Sequence, residues 1–131
     1  MPEQKKTIVI VCGGRDYADR ASVWAVLDSM MPEVVIHGAC QDRSGNLRGA
    51  DRWADEWARK HAHMLLPVPA LWDFYGNAAG PKRNGHMLAL LQMMARNGKD
   101  PRTLVVAFPG GTGTEGMVSL AEAAGVEVLR G

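Results

Sequence analysis

Apolar positions along the chain gather into short runs whose spacing switches between two patterns. Thr7 to Cys12, "TIVIVC", is an unbroken, mostly β-branched run ending at Gly13-Gly14, which predicts a strand buried on both faces. Asp19 can cap a helix that runs to about Met31, with Val23, Val26, Leu27 and Met30 on one stripe. Val34 to His37 reads as a second buried strand that stops at Gly38. From Gly49 to His61 the pairs Trp53/Trp57 and Ala54/Ala58 recur at helical spacing. Met64 to Val68 is a third strand, with Pro67 and Pro69 at its end, and Trp72 to Pro81 reads as a long aromatic, glycine-bearing connection. Arg83 to Arg96 is a strongly apolar helix. Leu104 to Phe108 is a fourth strand, Thr114 to Ala124 a helix and Val126 to Leu129 a fifth strand.

Strands therefore alternate with helices, which predicts one Rossmann-like, three-layer α/β/α domain over residues 1–131 with a parallel sheet of about five strands. Right-handed crossovers put every strand-to-helix loop on one edge of such a sheet, where ligands bind. The glycine-bearing loops all fall there: "GGRDY", "HGAC…RGAD", "FYGNAAGPKRN" and "PGGTGTEG".

Composition narrows the setting. The chain has 131 residues, 47% hydrophobic and 22% charged, as expected of a globular domain with a full core. Its formal net charge of +1 gives no broad electrostatic footprint for nucleic acid. Cys12 and Cys40 form no C-x-x-C pair, so neither a metal site nor a disulfide framework is expected, and a reduced, cytoplasmic setting fits. No run approaches the ~20 apolar residues of a membrane span, and "MPEQKK" lacks the apolar segment of a signal peptide.

The densest glycine stretch is "FPGGTGTEG". Residues 111–116 match G-x-G-x-x-G in form, but a dinucleotide fingerprint belongs at the first strand-helix turn, and Met117 stands where a P-loop lysine would follow. The physical signal survives both failures. Gly110, Gly111 and Gly113 permit close backbone approach, Thr112 and Thr114 offer hydroxyls, and the next helix presents its free N–H groups, an arrangement suited to phosphate. Gly13 and Gly14 let Arg15 sit over the same edge, either to pair with a phosphate or to bond Asp16 or Asp51 as a surface residue. Gly38 and Gly49 bracket the loop after the second strand. Asp51 falls in the first turn of its helix, where it either favours the helix dipole or holds ribose hydroxyls and orders Arg15. Lys82, Arg83 and Asn84 stand at a predicted helix start, where cations oppose the dipole and an anion would justify them. His37 reads as a hydrogen-bonded structural group, and Trp53 and Trp57 as core or helix-packing residues. The Met87 to Met94 stripe covers more than one helix face, which suggests burial against a second copy and hence a homodimer.

Four stretches, "VCGGRDY", "VIHGAC…GADRWADEWA", "WDFYGNAAGPKRNGHML" and "VVAFPGGTGTEGMV", follow one another in that order. Together they resemble the YspA-like proteins of the SLOG superfamily, the Rossmann-like group that includes DprA and the LOG cytokinin-activating phosphoribohydrolases. The resemblance runs over nearly the whole chain. "QDRSGNLR" looks like an insertion between "HGAC" and "GADR" that alters the mouth of the site.

The resemblance implies a nucleotide or nucleotide-derived ligand and no separate cofactor. In LOG enzymes a P-G-G-x-G-T-x-x-E motif binds the phosphate side, and its glutamate works with an arginine to cleave an N-glycosidic bond. Pro109 to Thr114 match the motif and Arg83 matches the arginine, but Met117 occupies the glutamate position, and Glu115 lies two residues earlier on another helix face. Without that carboxylate the oxocarbenium-like transition state loses its obvious partner, with Asp51 the candidate replacement. A nucleotide-binding module, acting as sensor, carrier or sequestering protein, is the first expectation. A phosphoribohydrolase using Arg83 and Asp51 is the alternative, and single-stranded DNA binding as in DprA is disfavoured by the near-neutral charge.

Overall fold

The computed structural model describes residues 5–131. In chain order the elements are β1 (Thr7–Cys12), α1 (Arg20–Met30), β2 (Val34–His37), α2 (Gly49–His61), β3 (Met64–Pro67), α3 (Trp72–Tyr75), a 3₁₀ turn (Gly76–Ala78), α4 (Ala79–Asn97), β4 (Arg102–Ala107), α5 (Thr112–Ala123) and β5 (Glu127–Arg130). The strands form one all-parallel sheet in the order β3-β2-β1-β4-β5.

The unbroken apolar character of β1 follows from its central place, because both faces of the strand are covered. Val9 and Val11 face a layer built from α1 and α2, where Val23, Leu27, Ala50, Ala54 and Trp57 close over Leu104, Val106 and Phe108. Ile8, Ile10 and Cys12 face the opposite layer, where Met87 and Leu91 of α4 and Met117, Val118 and Ala121 of α5 cover Ile36, Val105 and Ala107. The chain builds outward from β1 through β2 to β3, then returns to place β4 on the other side of β1. The loops leaving β1 and β4 thus diverge to opposite faces, and the crevice between them is the switch point where doubly wound folds bind ligands.

Most boundaries agree with the pattern of the sequence. Asp19 caps α1 as expected, accepting from the backbone N–H of Ser22 at 3.0 Å. The stretch Trp72–Pro81 differs. It is not an extended connection but almost wholly helical, and α4 begins at Ala79, with Pro81 in its first turn. Proline there lacks only an N–H that the helix leaves unpaired anyway, so it continues the helix rather than marking its edge. Arg83 and Asn84 consequently sit past the first turn, and the dipole argument made for a helix start does not apply to them. Likewise α5 begins at Thr112 rather than Thr114.

The methionine-leucine stripe of α4 is largely absorbed by this domain. Met87 and Leu91 are fully buried, Leu88, Leu90 and Met94 pack against the same core, and Met93 remains exposed. Less of the helix is thus left for a second copy than its composition suggests. Leu91→Ala is expected to destabilise the domain by about 2–5 kcal/mol through lost burial and a residual cavity, read as a lower urea midpoint at unchanged slope.

Candidate functional site

Three loops meet at the carboxyl edge of the sheet, and backbone hydrogen bonds tie them together. Gly14 N–H donates to Pro109 O at 2.9 Å, while Gly14 O accepts from the N–H of Tyr17 at 3.1 Å and of Ala50 at 3.3 Å. Such contact requires glycine. A Cβ on Gly13 would lie 2.6 Å from Ala50 Cβ, one on Gly110 would enter the Thr114 hydroxyl and approach the Gly14 nitrogen, and one on Gly49 would strike Gly14 O. Gly49 also has φ +61°, a conformation that glycine adopts at little cost. These glycines hold the loops against one another.

Gly111 and Gly113 differ. A Cβ at either would meet no protein atom within 4 Å. Both border a cavity of about 640 Å³ beside the switch point. Gly111 caps α5 without any side-chain hydrogen bond, so the first-turn N–H groups of Thr112, Gly113 and Thr114 receive no cap from it. The cavity also takes in Cys12, Arg15, Gly38, Cys40, Asp51, Trp72, Arg83, Asn84, Met87 and Leu120.

Arg83 reaches this wall from α4. Its Nη1 donates to Gly38 O and its Nε to Asn84 Oδ1 at 3.0 Å. Gly38 makes room for the guanidinium, since a Cβ there would collide with it. Asn84 is buried and donates through Nδ2 to Gly113 O at 3.1 Å. It thus fixes Arg83 relative to the glycine turn and acts as a positioning group. Asp51 is almost fully buried and accepts from the Cys40 N–H through Oδ2 at 2.9 Å. Burial raises its pKa above the ordinary 3.8, opposed by electrostatic interaction with His37 and with the Arg83 guanidinium and by the backbone bonds from Cys40 and Gly38. The Cys12 thiol is pushed up to about 12, first by burial and then by the charge of Asp51. Cys12 therefore stays a thiol at neutral pH and supplies no thiolate nucleophile.

Among the other positions singled out from the sequence, Gly13, Gly14 and Arg15 line the cavity, whereas Gly49, Pro109 and Gly110 lie behind it as loop scaffold. Arg15 is exposed and bonds neither Asp16 nor Asp51; Asp16 pairs instead with Arg48 at 2.6 Å. Lys82 turns away to lie 4.9 Å from the Tyr75 ring centroid. His37 is buried. Its Nδ1 accepts from Ala39 N–H at 2.9 Å, which leaves Nε2 to donate to Asp55 Oδ2 at 2.8 Å, a structural role. Met117 is buried in the core, and Glu115 forms a two-pronged pair with Arg130 at 2.9 Å, so neither brings a carboxylate to the cavity. Asp51 is the one carboxylate lining it among the described residues. Residues 41–48, expected at its mouth, form a small turn bridged at Gln41 and Leu47 and border a separate, arginine-lined groove instead. Trp72, Gly80, Pro81, Met87 and Leu120 were not singled out as site residues. Only the position of "WDFYG" at the ligand-side edge pointed to Trp72, and nothing local pointed to Leu120, which arrives from α5.

The profile of the YspA, cpYpsA-related SLOG family matches residues 7–75. The chain belongs to this family. The match spans β1 to α3 and includes Gly13, Gly14, Arg15, Gly38, Gly49 and Asp51 of this SLOG protein. Arg83 and the glycine turn lie beyond it and are joined to it by the fold. No match was found among curated proteins.

The raised pKa of Asp51 has a definite sign. Between the ordinary and the raised value the folded state holds more protons than the unfolded state, so this group's contribution to stability declines as pH rises through that window. Asp51→Asn removes the decline while keeping an oxygen for the Cys40 N–H. The melting temperature of the variant relative to wild type is expected to rise from about pH 4 to about pH 8. A pH-independent difference would assign Asp51 an ordinary pKa.

Proposed function

We propose that this SLOG protein binds a nucleotide or nucleotide-derived small molecule, with the phosphate on the turn at residues 111–114, as a sensor, carrier or sequestering module. The observation that carries the reading is the pair Gly111 and Gly113. Protein packing does not require glycine at either position, since a Cβ would meet no atom within 4 Å outside its own local backbone, and both residues line the cavity. A phosphate against the uncapped start of α5 gives the pair a reason, because anions are favoured at helix N-termini and need close backbone approach. Arg83, held by Gly38 and Asn84, and Arg15 supply positive charge on the same wall. Family membership supports the ligand class.

Gly113→Val is expected to stay folded, because valine is tolerated in a helix at least as well as glycine. Its affinity for AMP in calorimetric titration should fall at least about tenfold, as the side chain enters the phosphate space. Gly110→Ala, whose Cβ would strike Thr114, should instead lose cooperative unfolding. Unchanged AMP affinity in Gly113→Val would refute the phosphate assignment.

A phosphoribohydrolase activity is the second reading, favoured by one observation: Arg83 and the buried Asp51 line one cavity and interact electrostatically. Asp51 would have to do the work of the carboxylate that Met117 replaces. Release of free base from nucleoside monophosphates, abolished in Arg83→Ala, would establish it. For self-association we propose the remaining exposed edge of α4 around Met93, which a monomeric mass in sedimentation would refute.

A further inference from the structure

Trp24, Trp53 and Trp57 are bound into the fold. Trp24 Nε1 donates to Trp53 O at 3.1 Å, Trp53 Nε1 to Tyr17 O at 2.8 Å and Trp57 Nε1 to Asp28 Oδ1 at 2.8 Å. Each ring also has an aromatic or cationic neighbour: His61 for Trp24 and Trp57, Arg52 for Trp53. Trp72 has neither kind of partner among the described residues. It is 57% exposed, yet it lines the cavity. Its Cη2 lies 3.5 Å from where a Cβ on Gly80 would stand, at ordinary contact distance, so the ring tip lies beside the start of α4.

The cavity lining is mixed in character. The residue 111–114 turn, Arg15 and Arg83 contribute polar and positive groups, and Trp72, Pro81, Met87 and Leu120 contribute an apolar part. A phosphate with a bare sugar would leave that apolar part in water. An indole that lines a cavity without an aromatic or cationic partner among the described residues suits a flat aromatic ring, since stacking on tryptophan needs no hydrogen-bond code.

We propose that Trp72 is the stacking wall for the base of the ligand, and that the protein discriminates base-bearing nucleotides from sugar phosphates through this one ring. The inference rests on the phosphate assignment above and extends it from the anion to the aromatic group. Phe74, 84% exposed on the same short helix, does not line the cavity and serves as the internal control.

The test is calorimetric titration of AMP and of ribose 5-phosphate into the wild-type protein, Trp72→Ala, Trp72→Phe and Phe74→Ala. The wild type should bind AMP at least about fivefold more tightly than ribose 5-phosphate. Trp72→Ala should abolish that preference while leaving ribose 5-phosphate affinity unchanged. Trp72→Phe should restore most of it, and Phe74→Ala should alter neither ligand. If Trp72→Ala binds AMP as tightly as wild type, the stacking role falls while the phosphate site stands. If the wild type binds neither compound, both fall together.

Discussion

The site depends on one backbone junction. Gly14 hydrogen-bonds at once to the loop after β4, through Pro109 O, and to the start of α2, through the Ala50 N–H. Those segments belong to opposite arms of the fold, since α2 covers one face of the sheet and the β4 loop leads to α5 on the other. Side chains at Gly13, Gly49 or Gly110 would hold them apart. Joined this closely, the loops leave a bounded cavity at the switch point. Hydrophobic burial on both faces of β1 fixes the strands, but the contact that brings the loops together is polar and steric.

The glycines at this edge divide by what surrounds them. Gly14, Gly49 and Gly110 give backbone room to approach backbone, Gly13 makes room for the β-carbons of Ala50 and Phe108, and Gly38 admits a guanidinium. Gly111 and Gly113 face open space. Treating the whole run as one phosphate loop conceals that difference, because residue type alone cannot say which neighbour forbids a side chain.

The charged groups follow the same logic of mutual support. Asp51 remains buried because the Cys40 N–H and nearby positive charge offset part of its desolvation, and its own charge in turn helps keep the Cys12 thiol protonated. Arg83 is fixed by a carbonyl and an amide rather than by an acid, so its charge is not cancelled by a bonded carboxylate. The cavity thus combines one buried carboxyl with the guanidinium groups of Arg15 and Arg83 and a helix start that lacks a side-chain cap.

The order of residues was enough to establish the alternation of strands and helices, the all-parallel architecture and the edge on which the glycine loops gather. Those features follow from local periodicity and from chain connectivity, which leave few alternatives. The resemblance to the LOG motif, not the residues by themselves, marks Met117 as standing where that motif has a glutamate. Residue order did not establish that Trp72–Pro81 is helical, because a proline at the edge of a helix and one in its first turn look alike in sequence. Three-dimensional packing was needed to show that residues 41–48 face a different groove, that Asn84 links Arg83 to the glycine turn, and that Trp72 and Leu120 border one cavity. Each of these joins residues distant along the chain, and spacing within a segment carries no information about what another segment places beside it.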